Sequence, residues 1–327
     1  MAQRHSRGVL FCLAATVAWG GMFPVMNAAL RHIDPFTFTC LRYSTALAVF
    51  VVLLWRIEGR AAFTLRGERV GLAFLFGTAG FCGFQFLVFY GQQEVGTDGA
   101  LTASIMMATM PLLGFLVTWA IRQVLPPRGA LGFIAMSFVG ISLVVTKGHY
   151  GLFVDHPGQF GADGLIVLGA FFWVLYTAGA TFFPSWSPVR YTTTTTALGL
   201  VSTLAVTGVL VGSGAVAMPG AGAVGSVLPE LGYMSLVAAV VGVLAWNTGN
   251  RILTPLNGVL FMDVVPVTSF AISAATGTLP TATQVVGACI SATALVLNNL
   301  YLRHRLAAPE PVEQRQTVSA PASASSQ

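Results

Sequence analysis

Charge is scarce in this sequence. Only 8% of its 327 residues are Asp, Glu, Lys or Arg, where soluble domains carry roughly a quarter. That scarcity, with 55% hydrophobic residues, excludes a soluble domain and predicts an integral membrane protein. Lysine is nearly absent, with Lys147 alone, which argues against a cavity built for a diphosphate. Cysteine is sparse too: Cys12, Cys40, Cys82 and Cys289 sit inside apolar segments at unrelated spacings. They imply neither a disulfide framework nor a metal site. The histidines (His5, His32, His149, His156 and His304) fall in tails or loops, which excludes a zinc site. There is no Ser-His-Asp arrangement, no HExxH and no phosphate-cradling loop. Glu94 and Asp98 lie close together, but at a helix junction where solvation suffices. No cofactor is therefore expected.

What the chain does have is long apolar runs. They cover about 8–30, 35–56, 70–92, 97–121, 128–146, 161–183, 190–212, 230–250, 253–277 and 281–301, each near the ~20 residues needed to cross a bilayer. The expected fold class is all-α, with ten transmembrane helices. The net charge of +5 does not call for nucleic acid, because the arginines stand singly in short loops. Arg4, Arg7, Arg56, Arg60, Arg66, Arg69, Arg122, Arg128, Arg190, Arg251, Arg303, Arg305 and Arg315 fall on one side, against Arg31 and Lys147 on the other. By the positive-inside rule both termini are cytoplasmic. The first apolar run lacks a cleavage pattern and reads as a retained helix rather than a signal peptide. The tail 306–327 has too little apolar content to fold and is expected to be disordered.

The chain is also one unit written twice. Trp19 is matched by Trp173, Pro111 by Pro266, Met107 by Met262 and Gly132 by Gly287, all 154 or 155 residues apart, and Pro35 by Pro188. The units are 8–146 and 161–303. Five crossings per unit is an odd number, so the second must enter from the opposite side. Two inverted repeats around a midplane site are a common architecture of secondary transporters. Gly77, Gly80 and Gly83 on the third run, and Gly287 with Ser291 on the tenth, read as helix packing within a monomer.

Polar and aromatic groups at helical spacing nominate a cavity. Trp19 with Phe23, Gln85 with Phe89 and Gln92, Trp173 with Tyr176, and Asn247 with Asn250 beside Trp246 each share a helix face. Met107 and Met262 stand four residues before the paired prolines. Apolar walls with a few amides describe a small-molecule site, and methionine makes such a wall adaptable. Pro111 and Pro266 would kink their helices in mid-segment, and matched breaks in two halves point to a transport pathway. Asp263, about seven residues into the ninth run, reads either as a proton site, or as a carboxyl bonded to helix backbone near Pro266 or facing a cytoplasmic water funnel. Arg42 is expected to snorkel outward or cap a neighbouring helix end.

Ala18-Trp19-Gly20 with Phe23, then Pro35-Phe36 and Leu41-Arg42, resembles the opening of the EamA-type repeat of the drug/metabolite transporter superfamily. Leu165 to Tyr176, with Ala170 and Trp173, resembles the opening of its second copy. Pro111, Pro266, Gly132 and Gly287 match in order, and Ala245-Trp246-Asn247-Thr248-Gly249 resembles the eighth-helix motif of the aromatic amino acid exporter branch. The resemblance covers about 8–303. It implies a ten-helix basket with a central cavity lined by helices 1, 3, 4, 6, 8 and 9, exporting small metabolites across a bacterial inner membrane. Where many members carry Gly-Glu after helices 4 and 9, this chain has Arg122-Gln123 and Thr278-Leu279. The expected substrates are amino acids, aromatic or bulky apolar ones among them, with drugs or nucleoside-like compounds as the alternative. An intramembrane enzyme would need a polar catalytic pair in one cavity, and the sequence offers none. The expected partners are the substrate and membrane lipid.

Overall fold

The computed structural model describes residues 2–96, 99–122, 128–146, 157–275 and 281–307, and among these no strand occurs. Among the described residues, seven helices are long and apolar enough to cross a membrane. They comprise α1 (Ala2–Ala29), α2 (Pro35–Glu58), α3 (Val70–Val95), α4 (Gly99–Ile121), α6 (Pro157–Gly179), α7 (Pro188–Gly212) and α8 (Leu228–Leu253). Three further helices are α5 (Arg128–Thr146), α9 (Val264–Ala275) and α10 (Ala282–Ala307). The tail 308–327 and the link 147–156 lie outside the described residues.

Equivalent sequence signals start equivalent helices. Asp34 caps α2, its carboxylate accepting the Thr37 N–H at 2.8 Å, with Pro35 in the first turn. Ser187 caps α7, its hydroxyl accepting the Arg190 N–H at 3.0 Å, with Pro188 following. A side-chain acceptor satisfies an orphan amide, and proline at the first helical position loses no bond. The interruptions also recur. α3 loosens into a π-helical turn at Ala79–Gly83, and α8 does so at Tyr233–Val241, starting 154 residues later. A 3-10 turn at Met107–Thr109 precedes Pro111, and another at Val259–Asp263 precedes Pro266. Proline removes the i−4 hydrogen bond, and the chain tightens ahead of it in both places.

Packing follows the same exchange. α1 packs on α8 and α9, and α6 packs on α3 and α4. α2 meets the π segment of α8, and α7 meets that of α3. α5 pairs with α10, and α2 with α7. Swapping the two halves leaves this set of neighbours unchanged.

α7 turns the usual amphipathic rule inside out. Thr192, Thr193, Thr194, Thr195 and Thr196 are buried, while Val201, Leu204 and Val209 are exposed. Threonine tolerates burial here because Thr192, Thr195 and Thr203 donate to the carbonyls of Pro188, Tyr191 and Gly199, one turn back. The exposed valines and leucines suit a lipid surface. Glycine sets the closest approach: a Cβ on Gly80 would stand 2.7 Å from Cγ of Tyr176, and one on Gly83 would stand 2.7 Å from the Phe172 ring.

Candidate functional site

The candidate cavity lies where α1, α2, α3, α4, α6, α8 and α9 converge. Trp19, Met22, Phe23, Arg42, Tyr43, Phe84, Gln85, Met107, Trp173, Val243, Met262 and Val265 line it. Their spacing leaves about 320 Å³ between side chains, of which about 20 Å³ would admit water. That is little more than one water, and every lining residue is buried, so the cavity is occluded.

The tryptophans divide it. Trp19 meets Trp173 edge-on at 5.2 Å between ring centroids and lies 5.2 Å from Trp246. Trp173 continues the chain of rings to Phe84 at 5.1 Å and Tyr176 at 5.0 Å. Trp19 is held by its indole N–H, which donates to the Ala238 carbonyl at 2.9 Å. Ala238 belongs to the π segment of α8, and the same segment supplies the Met234 carbonyl to Arg42. In α3 the Phe81 carbonyl, also in a π segment, accepts from Thr203 at 3.1 Å. π turns recur at functional sites; in both halves a side chain from elsewhere in the bundle takes a carbonyl of the segment.

Arg42 is a correction to the sequence reading. It neither snorkels nor caps a helix end; it is fully buried against the cavity. Its Nε donates to Met234 O at 2.9 Å and Nη1 to Gln85 Oε1 at 2.7 Å, while Nη2 faces the Met22 sulfur at 3.6 Å. The guanidinium carbon sits 4.9 Å from the centre of the Tyr43 ring and 5.9 Å from that of Phe89. The sequence showed its depth but not its partner, a carbonyl 192 residues away.

The other nominated residues divide between this cavity and its supports. Trp19, Phe23, Gln85, Met107, Trp173 and Met262 line the cavity itself. Phe89 and Gln92 stand behind it; Gln92 Nε2 donates to the Phe23 carbonyl at 2.9 Å. Trp246 Nε1 donates to Thr177 Oγ1 at 3.0 Å, fixing α8 to α6. Asn247 Nδ2 donates to both the Tyr176 hydroxyl at 2.6 Å and Thr192 Oγ1 at 2.7 Å, joining α6, α7 and α8. Asn250 Nδ2 donates to the Trp246 carbonyl at 2.9 Å. Pro111 and Pro266 are buried next to the 3-10 turns. The backbone of Asp263 ends one of those turns; its side chain lies outside the described ones. Met22, Tyr43, Phe84, Val243 and Val265 were not nominated. Helical spacing from Trp19 gives Met22; the rest depend on tertiary packing.

Two open recesses flank the cavity. One, of about 900 Å³, is lined by Thr181, Phe183, Trp186, Tyr191, Asn247, Asn250 and Arg251 among others. Arg251 donates to the Trp186 and Pro184 carbonyls there, and Arg190 braces the neighbouring loop through Ala62 O, Thr64 O and Glu68. The other, of about 920 Å³, is lined by Arg31, His32, Asp34, Tyr90, Gln93 and the 215–219 loop. α2 runs from the Asp34 recess to the arginine-braced loop after Glu58, so the recesses open at opposite ends of the bundle.

An aromatic cavity inside an apolar helix bundle, with recesses at both ends, is the form of a transporter, and comparison agrees. Residues 6–146 match the EamA-like transporter family. A protein of Bacillus subtilis named Uncharacterized transporter YrdR is 35% identical over 296 residues, covering 90% of this chain and 92% of the relative. The chain belongs to the EamA-like transporter family. A second B. subtilis relative of this EamA-like transporter, Uncharacterized transporter YyaM, is 28% identical over 291 residues, 88% of this chain and 92% of that protein. A solved crystal structure superposes with a TM-score of 0.66 at 18% identity, covering 91% of this chain and 98% of the other. That likeness speaks for the fold alone. The EamA-like chain is thus a multi-pass membrane transporter, and its family points away from an enzyme.

Proposed function

We propose that this transporter is a secondary exporter of small metabolites, foremost amino acids with aromatic or bulky apolar side chains, working by alternating access. The observation that carries the reading is the occluded cavity between two recesses. Its walls include two repeat-related pairs, Trp19 with Trp173 and Met107 with Met262. The proposed architecture is ten spans in two inverted five-helix repeats, and the exchange-symmetric packing and paired helix interruptions support it. A monomer suffices, because the cavity is built within one chain. A bacterial inner membrane with both termini cytoplasmic fits the arginine distribution. The Ala245–Gly249 motif favours the aromatic amino acid branch. Export rests on the family resemblance.

The aromatic walls also favour a second reading, an exporter of drugs or nucleoside-like compounds. Counterflow in proteoliposomes separates the two. Vesicles preloaded with unlabelled phenylalanine, tryptophan or leucine should accumulate the labelled amino acid, while nucleosides and cationic drugs should not. Counterflow of nucleosides or cationic drugs alone would transfer the assignment to the second reading.

A further inference from the structure

The central cavity holds hydrogen-bond donors without matching acceptors. A guanidinium carries five N–H groups, and the three contacts of Arg42 go to a carbonyl, an amide oxygen and a thioether, all neutral. No carboxylate is among the described residues lining the cavity. The indole N–H of Trp173 and the hydroxyl of Tyr43 line the same cavity, are buried, and have no hydrogen-bond partner among the described residues. Trp19, the counterpart of Trp173 in the first half, has a partner in Ala238. The repeat therefore diverges at the cavity, where the second tryptophan keeps its donor free.

A buried cation without a counter-charge is costly, and so is a buried donor without an acceptor. An ionisable residue in the membrane interior, facing a cavity, is the usual mark of a substrate pathway. One guanidinium with a planar fork suits a carboxylate, and a single cation suits a monoanion better than a phosphate ester. The rings and methionines of the wall suit an apolar body. The described lining offers no anion to a substrate ammonium.

We propose that the cavity recognises its substrate through a carboxylate. Arg42 is the receptor, the Trp173 N–H and Tyr43 hydroxyl are further donors, and the α-amino group is dispensable. The substrate class is then apolar carboxylic acids, with amino acids as one member and their 2-hydroxy and deamino analogues as equals. This rests on the transport reading above.

The test uses the full-length protein in lipid nanodiscs, titrated calorimetrically with phenylalanine, 3-phenyllactate, 3-phenylpropionate, phenylalanine amide and 2-phenylethylamine. The three acids should bind with comparable affinity. The amide and the amine should bind about tenfold more weakly or worse, as the loss of a charge-assisted hydrogen bond dictates. Arg42→Gln removes the receptor but also the tie between α2 and α8, so unfolding is a real outcome for it. Tyr43→Phe keeps its ring and loses only the hydroxyl; it should weaken the acids by about tenfold and leave the amide unchanged. Trp173→Phe loses the indole N–H together with part of the ring, so it should weaken the acids about tenfold more than it weakens the amide. An amide or amine binding as tightly as the acids overturns the proposal, as does wild-type acid affinity in both phenylalanine variants. Counterflow separates the two claims. Transport of 3-phenyllactate without phenylalanine upholds carboxylate recognition and removes the amino acid assignment. Equal transport of phenylalanine and its amide does the reverse.

Discussion

Trp19 and Trp173 stand 154 residues apart in sequence, yet their rings meet at 5.2 Å with planes at 88°. An edge-to-face pair sets the positive rim of one ring against the negative face of the other. Here it joins α1 to α6 beside the cavity. The two indoles differ in one respect: Trp19 donates to Ala238, and Trp173 has no acceptor among the described residues.

That difference predicts unequal thermal stability. Trp19→Phe removes a buried hydrogen bond and strands the Ala238 carbonyl, costing about 1–3 kcal/mol. Both variants lose the same ring volume, but Trp173→Phe breaks no hydrogen bond among the described residues and should lose less stability than Trp19→Phe. Thermal unfolding of both variants in the same detergent checks this. Equal losses would mean that the Trp19 bond contributes nothing net.

Sequence reasoning reached the paired features because residues of the same type recur at a near-constant offset. Trp19 with Trp173, Met107 with Met262 and Pro111 with Pro266 stand out at a constant offset, and each pair occupies comparable places in the fold. Asp34-Pro35 and Ser187-Pro188 are local capping signals, of which the sequence reading used only the matched prolines. The π turns were not, because each depends on side chains brought in by other helices, Arg42 and Trp19 on α8 and Thr203 on α3. Arg42 was misplaced for the same reason: depth along α2 says nothing about a carbonyl on α8. Shared faces gave Asn247 and Asn250 as a pair, but only the fold shows that Asn247 is the joint and Asn250 lines a recess.

Asn247→Leu keeps the volume and removes that joint. The Tyr176 and Thr192 oxygens then lose their shared donor, with an expected cost of about 1–3 kcal/mol. Transport should fall along with the melting temperature, because α6, α7 and α8 all meet at this amide. A melting temperature equal to wild type would show that the contact is not maintained in the membrane.

Helix α5 gives a test of packing in which two glycines differ. A Cβ on Gly140 would stand 2.6 Å from the Gly287 carbonyl oxygen and 2.7 Å from the Ser291 nitrogen. Both are backbone atoms, so α5 and α10 must separate and the Ser137–Ser291 contact at 3.0 Å must stretch. Gly140→Ala should cost about 1–3 kcal/mol. Gly132 has nothing within 4 Å of an added Cβ, so Gly132→Ala should be neutral or gain up to about 1 kcal/mol from helix propensity. Gly287 is thus the repeat counterpart of Gly132 but the contact partner of Gly140. Denaturation of the two variants side by side decides the matter.

The two recesses predict which side of the membrane reaches which residue. Thr181 is exposed in the recess braced by Arg251, and Gln93 is exposed in the recess near Arg31. Basic loops stay in the cytoplasm, so the Thr181 recess is expected to face inward and the Gln93 recess outward. The native background is favourable: Cys12, Cys40 and Cys82 are buried, and exposed Cys289 can be replaced by serine. A membrane-impermeant maleimide should then label Thr181→Cys only in inside-out vesicles and Gln93→Cys only in intact spheroplasts. Met262→Cys, in the wall of the occluded cavity, should resist labelling from both sides in the resting protein. Under substrate turnover the same cysteine should become reactive, because alternating access must open its wall to one side at a time. Labelling of Thr181→Cys and Gln93→Cys from the same side would overturn the topology. A Met262→Cys variant that transports yet never reacts would place the pathway elsewhere.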